Sequence, residues 1–100
     1  MKARLGDTLI AEAGEDELVR IEGNWYFPPA SITPGVLVES PTPYTCAWKG
    51  AAQYFNVVVD GREIADLAWS YPDLKDGAVE KVGTDFAGYV AFAKDVEISD

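Results

Sequence analysis

The chain has 100 residues, 17 of them acidic and 8 basic, for a formal net charge of −9. With 48% hydrophobic and 12% aromatic residues it is too apolar for a disordered chain and holds material for one core. The basic residues form no run, which argues against nucleic-acid partners and anionic membrane surfaces, since both need clustered Lys and Arg. There is no histidine, so His-based acid–base chemistry and zinc sites built from Cys and His are excluded. Cys46 is the single cysteine and has no partner for an internal disulfide. The first fourteen residues contain no apolar run of signal-peptide length. The expectation is a single domain over 1–100, cytoplasmic, with a reduced thiol.

Gly6-Asp7 lies between Ala3-Arg4-Leu5 and Thr8-Leu9-Ile10-Ala11, which predicts a two-residue hairpin. Glu15-Asp16-Glu17 reads as a solvated turn, and Leu18 to Glu22 alternates as a half-buried strand. A break at Gly23-Asn24 is followed by Trp25-Tyr26-Phe27, which Pro28-Pro29 must terminate for want of an amide donor. Val36 to Glu39 is a short strand, and Pro41 and Pro43 hold an extended loop into Tyr44. Gln53 to Val59 is the clearest strand, and Asp60-Gly61 turns it into Glu63 to Trp69. Asp73 to Asp76 is polar loop, and a short helix fits within 78–86, broken by Gly83. Two strands, Gly88 to Phe92 and Val96 to Ile98, finish the chain. The fold class is mainly β: a small antiparallel barrel or sandwich of about seven short strands with at most one short helix.

The chemistry concentrates in TCAWKG, residues 45–50. Cys46 and Lys49 share a face only if the segment turns, because alternation along an extended strand separates them. Pro41 and Pro43 upstream and Gly50 downstream favour a turn. A thiol beside a cation is a candidate nucleophile, yet a lone cysteine is more often a small buried hydrophobe. Lys49 next to Gly50 suits an anion contact, with a solvated lysine or a cation–π pair as the plainer reading. No P-loop is present, and no cofactor is expected. Trp25, Tyr26, Phe27, Tyr44, Trp48, Tyr54, Phe55, Trp69 and Tyr71 crowd the same motif segments. Alternation places Trp25 with Phe27 and Trp69 with Tyr71 on shared faces. Phe27, Phe55 and Phe92 read as core; Trp48, Trp69 and Tyr71 read as walls of a pocket.

WYFPPASI at 25–32, TCAWKGAAQYF at 45–55, AWSYPDL at 68–74 and GYVAF at 88–92 closely resemble, in order, the motifs of the bacterial domain-of-unknown-function 427 family. The resemblance covers essentially the whole chain and implies a small, single-domain, β-rich protein. It carries over Tyr26, Phe27, Pro28, Thr45, Cys46, Trp48, Lys49, Gly50, Tyr54, Trp69, Tyr71 and Pro72 as signature positions. Ala47 stands where the family usually has proline, and Ser31 near a frequent aspartate. The family is also catalogued under a nucleotidyltransferase label, which needs carboxylates converging on divalent ions. Asp60, Glu63 and Asp66 do not meet that need, since Glu63 and Asp66 face opposite sides of a regular strand.

These readings converge on a small-molecule or peptide binding module. Its ligand-binding set is Tyr26, Thr45, Cys46, Trp48, Lys49, Gly50, Tyr54, Trp69 and Tyr71, with no metal. Trp48 and Lys49 are expected to face the ligand, with Cys46 packed behind. An enzyme using Cys46 or Lys49, and a homodimer joined through exposed rings, are the alternatives.

Overall fold

In the computed structural model, which describes residues 1–100, Gly6-Asp7 turns β1 (Lys2–Leu5) into β2 (Thr8–Glu12). Gly6 takes φ +60°, a value such turns demand and glycine meets without steric cost. β1 also pairs with the last strand, β11 (Glu97–Ser99), so both ends of the chain meet in one three-stranded antiparallel sheet. The acidic run Glu15–Glu17 forms a single exposed 3-10 turn.

β3 (Val19–Ile21) and β4 (Asn24–Tyr26) form a hairpin of their own. Its turn is Glu22-Gly23, at φ +52° and +85°, so it closes one residue earlier than the Gly23-Asn24 break, and Asn24 opens the strand. Phe27 continues past β4 into a two-way bridge with Val90, each amide donating to the other's carbonyl at 2.8 Å. Pro28-Pro29 then ends the extended run, as expected, and Pro29–Ser31 turns as 3-10 helix.

The second sheet runs in the order β10 (Val90–Phe92), β9 (Arg62–Ser70), β8 (Gln53–Val59), β5 (Leu37–Glu39), all antiparallel. Asp60-Gly61 closes its central hairpin at φ +51° and +76°, the doubly left-handed pattern of a type I′ turn. β9 is not regular, however. Its register with β8 shifts between Phe55 and Val57, and Asp66 sits at φ +57° with its amide donating to Asn56 Oδ1 at 3.0 Å. The alternation assumed for Glu63 and Asp66 therefore fails at this bulge. Glu63 accepts from Asn56 Nδ2 at 2.7 Å, while Asp66 accepts from Ser40 Oγ at 2.6 Å and Thr42 Oγ1 at 2.7 Å. Those two bonds hold the Asp66 carboxyl below the usual carboxylate range and pin the proline loop.

β6 (Thr45–Cys46) and β7 (Gly50–Ala51) make a fourth, minimal sheet. The helix α1 covers only Ala78–Val82, closed by Gly83 at φ +93°, whose amide donates to Val79 O at 2.7 Å. Phe86 thus lies beyond it. The chain is mainly β with one short helix and eleven short strands rather than about seven. No sheet closes into a barrel. Two-residue strands such as β6 and β7 carry no hydrophobic period, which is why patterning undercounts them.

Two buried clusters hold these sheets together. The first contains Ile10, Phe27, Val57, Ala68 and Phe92, with Trp25 and Phe55 packed against it. The second contains Ile21, Tyr26, Tyr71, Ala78, Phe86 and Ala91. Strand alternation splits neighbours between them: Val90 and Phe92 enter the first and Ala91 the second, as do Phe27 and Tyr26 respectively. The second cluster underlies the motif segments. No helix is long and apolar enough to cross a membrane.

Candidate functional site

Residues 45–51 form a tight hairpin, with Cys46 opposite Gly50 and the turn at Ala47-Trp48-Lys49. The expected turn is present, so strand alternation does not separate Cys46 from Lys49 here. This hairpin docks on the segment that follows Tyr71-Pro72. The Lys75 amide donates to Lys49 O and Lys75 Nζ donates to Ala47 O, both at 2.9 Å. Gly50, at φ +114°, makes the docking possible: a Cβ there would stand 2.9 Å from Asp73 O. The close backbone approach that Gly50 permits is to the chain's own residues 73–75.

Lys49 is enclosed. The residue is 5% exposed, and its Nζ lies 5.1 Å from the Trp48 and Tyr71 ring centroids and 5.9 Å from that of Tyr26. Its one hydrogen-bond acceptor is Glu22 Oε1 at 2.6 Å, reached from the tip of the β3–β4 hairpin. A ring face carries negative potential, so three rings and a carboxylate form a consistent cage for an ammonium. Burial favours loss of the Lys49 proton, but the hydrogen bond it donates to Glu22 and the nearby phenols outweigh this, leaving its pKa above the ordinary lysine value. The same hydrogen bond holds the Glu22 carboxyl low. Lys49 is therefore a fixed cation at neutral pH, not a proton acceptor.

Around this cage the rings are continuous. Tyr26 and Trp48 each meet Phe86 edge-on, at 6.1 and 6.4 Å. Trp69 donates from Nε1 to Tyr26 Oη at 3.2 Å and leans on Tyr54, which in turn meets Tyr44. Trp48, Tyr54 and Trp69 are half-buried and Tyr44 is exposed, whereas Tyr26 and Tyr71 are core residues at 1% and 3% exposure. Lys81 lies over the Trp48 ring at 4.5 Å.

Tyr71 supplies a pH test. Burial pushes its phenol up to about 12, partly offset by the nearby Lys49 charge. In the unfolded chain the phenol ionises near an ordinary value of about 10. Between these values the unfolded state binds fewer protons, so stability falls as pH rises, by at most about 2–3 kcal/mol from this group. Urea denaturation at about pH 9 and about pH 11.5 is expected to show that loss, and Tyr71→Phe to remove this part of it. An unchanged alkaline dependence in Tyr71→Phe would show that the phenol is not kept neutral by burial.

Of the sequence-predicted residues, the fold gathers Tyr26, Cys46, Trp48, Trp69 and Tyr71 in or against the second cluster, with the Lys49 ammonium over its Tyr26 and Tyr71 rings. Tyr54 joins through Trp69, and Thr45 and Gly50 flank the turn. Cys46 is half-buried and a free thiol. Two participants carried no site signal in the sequence. Phe86 lies in irregular backbone just before the Ala87-Gly88 turn, outside any hydrophobic period. Glu22 precedes a glycine that reads as a turn, and only the distance across the fold reveals its role. The carboxylates do not converge: no group of three or more Cys, Asp or Glu side chains is arranged to hold a metal ion. The one concavity in the structure, of about 510 Å³, lies apart from these rings and is lined by Asp16 and Glu17 of the 3-10 turn, Leu18 and Val19, and Pro28, Thr84 and Tyr89. None of the predicted site residues lines it.

No curated protein matches the chain. A model of a domain of unknown function (DUF427), which carries a nucleotidyltransferase label, matches residues 1–99. Because that match spans residues 1–99, the chain belongs to the DUF427 family.

Proposed function

We propose that this protein is a small-molecule or peptide binding module whose ligand rests on the partly exposed rings of Trp48, Tyr54 and Trp69, with the buried Tyr71 behind them. In this reading Lys49 orients a polar or anionic group of the ligand. The observation that supports it most is the partial exposure of the Trp48, Tyr54 and Trp69 rings, the first of them beside the buried Lys49 cation. Trp48, Tyr54 and Trp69 stay half-buried and Tyr44 is 52% exposed, so these rings present apolar surface to solvent. Half-buried aromatics offer a flat apolar body and a polar tip, which is what a ligand-stacking wall requires.

Enzyme chemistry at Cys46 is less well supported, because the Lys49 ammonium is bonded to Glu22 and no base is hydrogen-bonded to the thiol. The metal-dependent transfer suggested by the family label finds no carboxylate cluster to work with.

A fragment screen read by NMR of the indole and backbone N–H signals tests the binding reading. Hits are expected to shift the Trp48 and Trp69 signals, and Trp48→Ala is expected to weaken them by at least about tenfold. Hits that instead perturb Tyr89 and Thr84, at the separate concavity, would move the site and end this proposal.

A further inference from the structure

The Lys49–Glu22 pair is lopsided. The Lys49 side chain is 6% exposed and that of Glu22 is 58% exposed. An ammonium has three donors, and the only oxygen that Lys49 meets belongs to Glu22. The other directions face the Tyr26, Trp48 and Tyr71 rings. The cation is thus built into the fold, while the anion is reached from solvent on a hairpin tip.

That tip is the less secured partner. β3 and β4 pair with each other alone, through three residue pairs, outside both larger sheets. Glu22 takes φ +52°, in the first of two left-handed positions where Asn, Asp or Gly is the ordinary occupant. A glutamate there accepts a local backbone penalty and places a carboxylate on Lys49. Beside it, the half-buried Trp48 ring carries a second cation, Lys81, at 4.5 Å. A flat apolar body with one carboxylate matches this arrangement, its ring against Trp48 and its charge on Lys49.

We infer that Glu22 is a tethered competitor: its carboxylate occupies the anion subsite of Lys49, and a small aromatic carboxylate binds by displacing it. The inference rests on the binding reading above and adds the ligand class and its regulation. A competitor that fills the subsite about nine-tenths of the time lowers the apparent affinity about tenfold, and removing it restores that factor.

The test is an NMR titration of the Trp48 indole signal with benzoate, and with benzamide as the uncharged counterpart. It compares the native protein with Glu22→Ala, Glu22→Gln and Lys49→Met. Benzoate is expected to bind about tenfold more tightly to Glu22→Ala than to the native chain, with Glu22→Gln between them and benzamide unchanged. Lys49→Met is expected to abolish the benzoate preference. Should that variant fail to fold, chloride competition against benzoate in Glu22→Ala reads the same cation. Benzoate shifting Trp48 equally in the native protein and Glu22→Ala would overturn the competitor role while leaving the binding reading intact. Equal tightening of benzoate and benzamide would show that only space was opened, and would also overturn it. If neither compound shifts Trp48 in any folded variant, the binding reading falls and this inference with it.

Discussion

Phe86→Ala is expected to cost about 3–5 kcal/mol of folding stability. The ring is fully buried and edge-packed against both Tyr26 and Trp48, so its removal leaves a cavity between two aromatic walls. Those walls cannot close it, because Tyr26 is held by the Trp69 hydrogen bond and Trp48 by the docked hairpin. Against a total stability of about 5–15 kcal/mol for a domain of this kind, the variant would be marginal at body temperature. Urea denaturation measures the loss, and near-ultraviolet circular dichroism should report a weakened tryptophan signal before global unfolding. Phe86→Leu, which keeps most of the volume, is expected to lose clearly less. A cost below about 1 kcal/mol for the alanine variant would mean that the second cluster repacks freely and is not close-packed.

Gly50→Ala is the second large effect, expected at about 2–4 kcal/mol from backbone strain and a steric clash together. The residue sits at φ +114°, and its new Cβ would meet Asp73 O at 2.9 Å and Lys75 N at 3.3 Å. These are backbone atoms, which cannot rotate aside as a side chain would. Relief requires the hairpin to lift from residues 73–75, which breaks the Lys75 N–H bond to Lys49 O and shifts the lysine in its cage. Gly61→Ala is the control. It also has positive φ, but nothing lies within 4 Å of its Cβ position, so only the strain of about 1–2 kcal/mol applies. Equal losses at both positions, measured by urea denaturation, would show that the contact with residues 73–75 contributes nothing.

The two variants separate roles that the motif TCAWKG runs together. Gly50 acts through close packing of backbone, Phe86 through volume, and neither needs a ligand to explain its presence. Lys49 is different. A buried ammonium is costly to desolvate, and an apolar residue of similar length could fill the same space between three rings. Its pairing with Glu22 is fully present from neutral pH down to the carboxylate range. It is lost only as pH falls through the lowered Glu22 value or rises through the raised Lys49 value. The cage is therefore charged under all ordinary conditions, and the charge is what the two binding proposals use.

The hairpins at Gly6-Asp7 and Asp60-Gly61 were legible in the chain because a two-residue turn is a local problem: few residues tolerate positive φ, and flanking alternation supplies the register. The same logic misplaced the Glu22-Gly23 turn by one residue, since Asn24 tolerates left-handed backbone as well as glutamate's neighbour does. The bulge at Asp66 gave no warning, because its cause is a side chain on another strand, Asn56. Crowding of the aromatic motif residues was visible, but which rings would be core and which half-exposed was not. Tyr71 read as a pocket wall and is buried at 3% exposure, while Trp48 and Trp69 keep exposed edges.

By itself, then, the sequence determined the mainly β class, the principal turns, the family and the segment where chemistry concentrates. Each of these depends on backbone preferences and residue order within a few positions. Only the tertiary structure decided that Glu22 reaches Lys49 across 27 residues, that Phe86 supports Trp48, and that Gly50 packs on the chain's own backbone. Those are contacts between segments far apart in the chain. Their energies come from shared burial and desolvation, which no stretch of sequence carries alone.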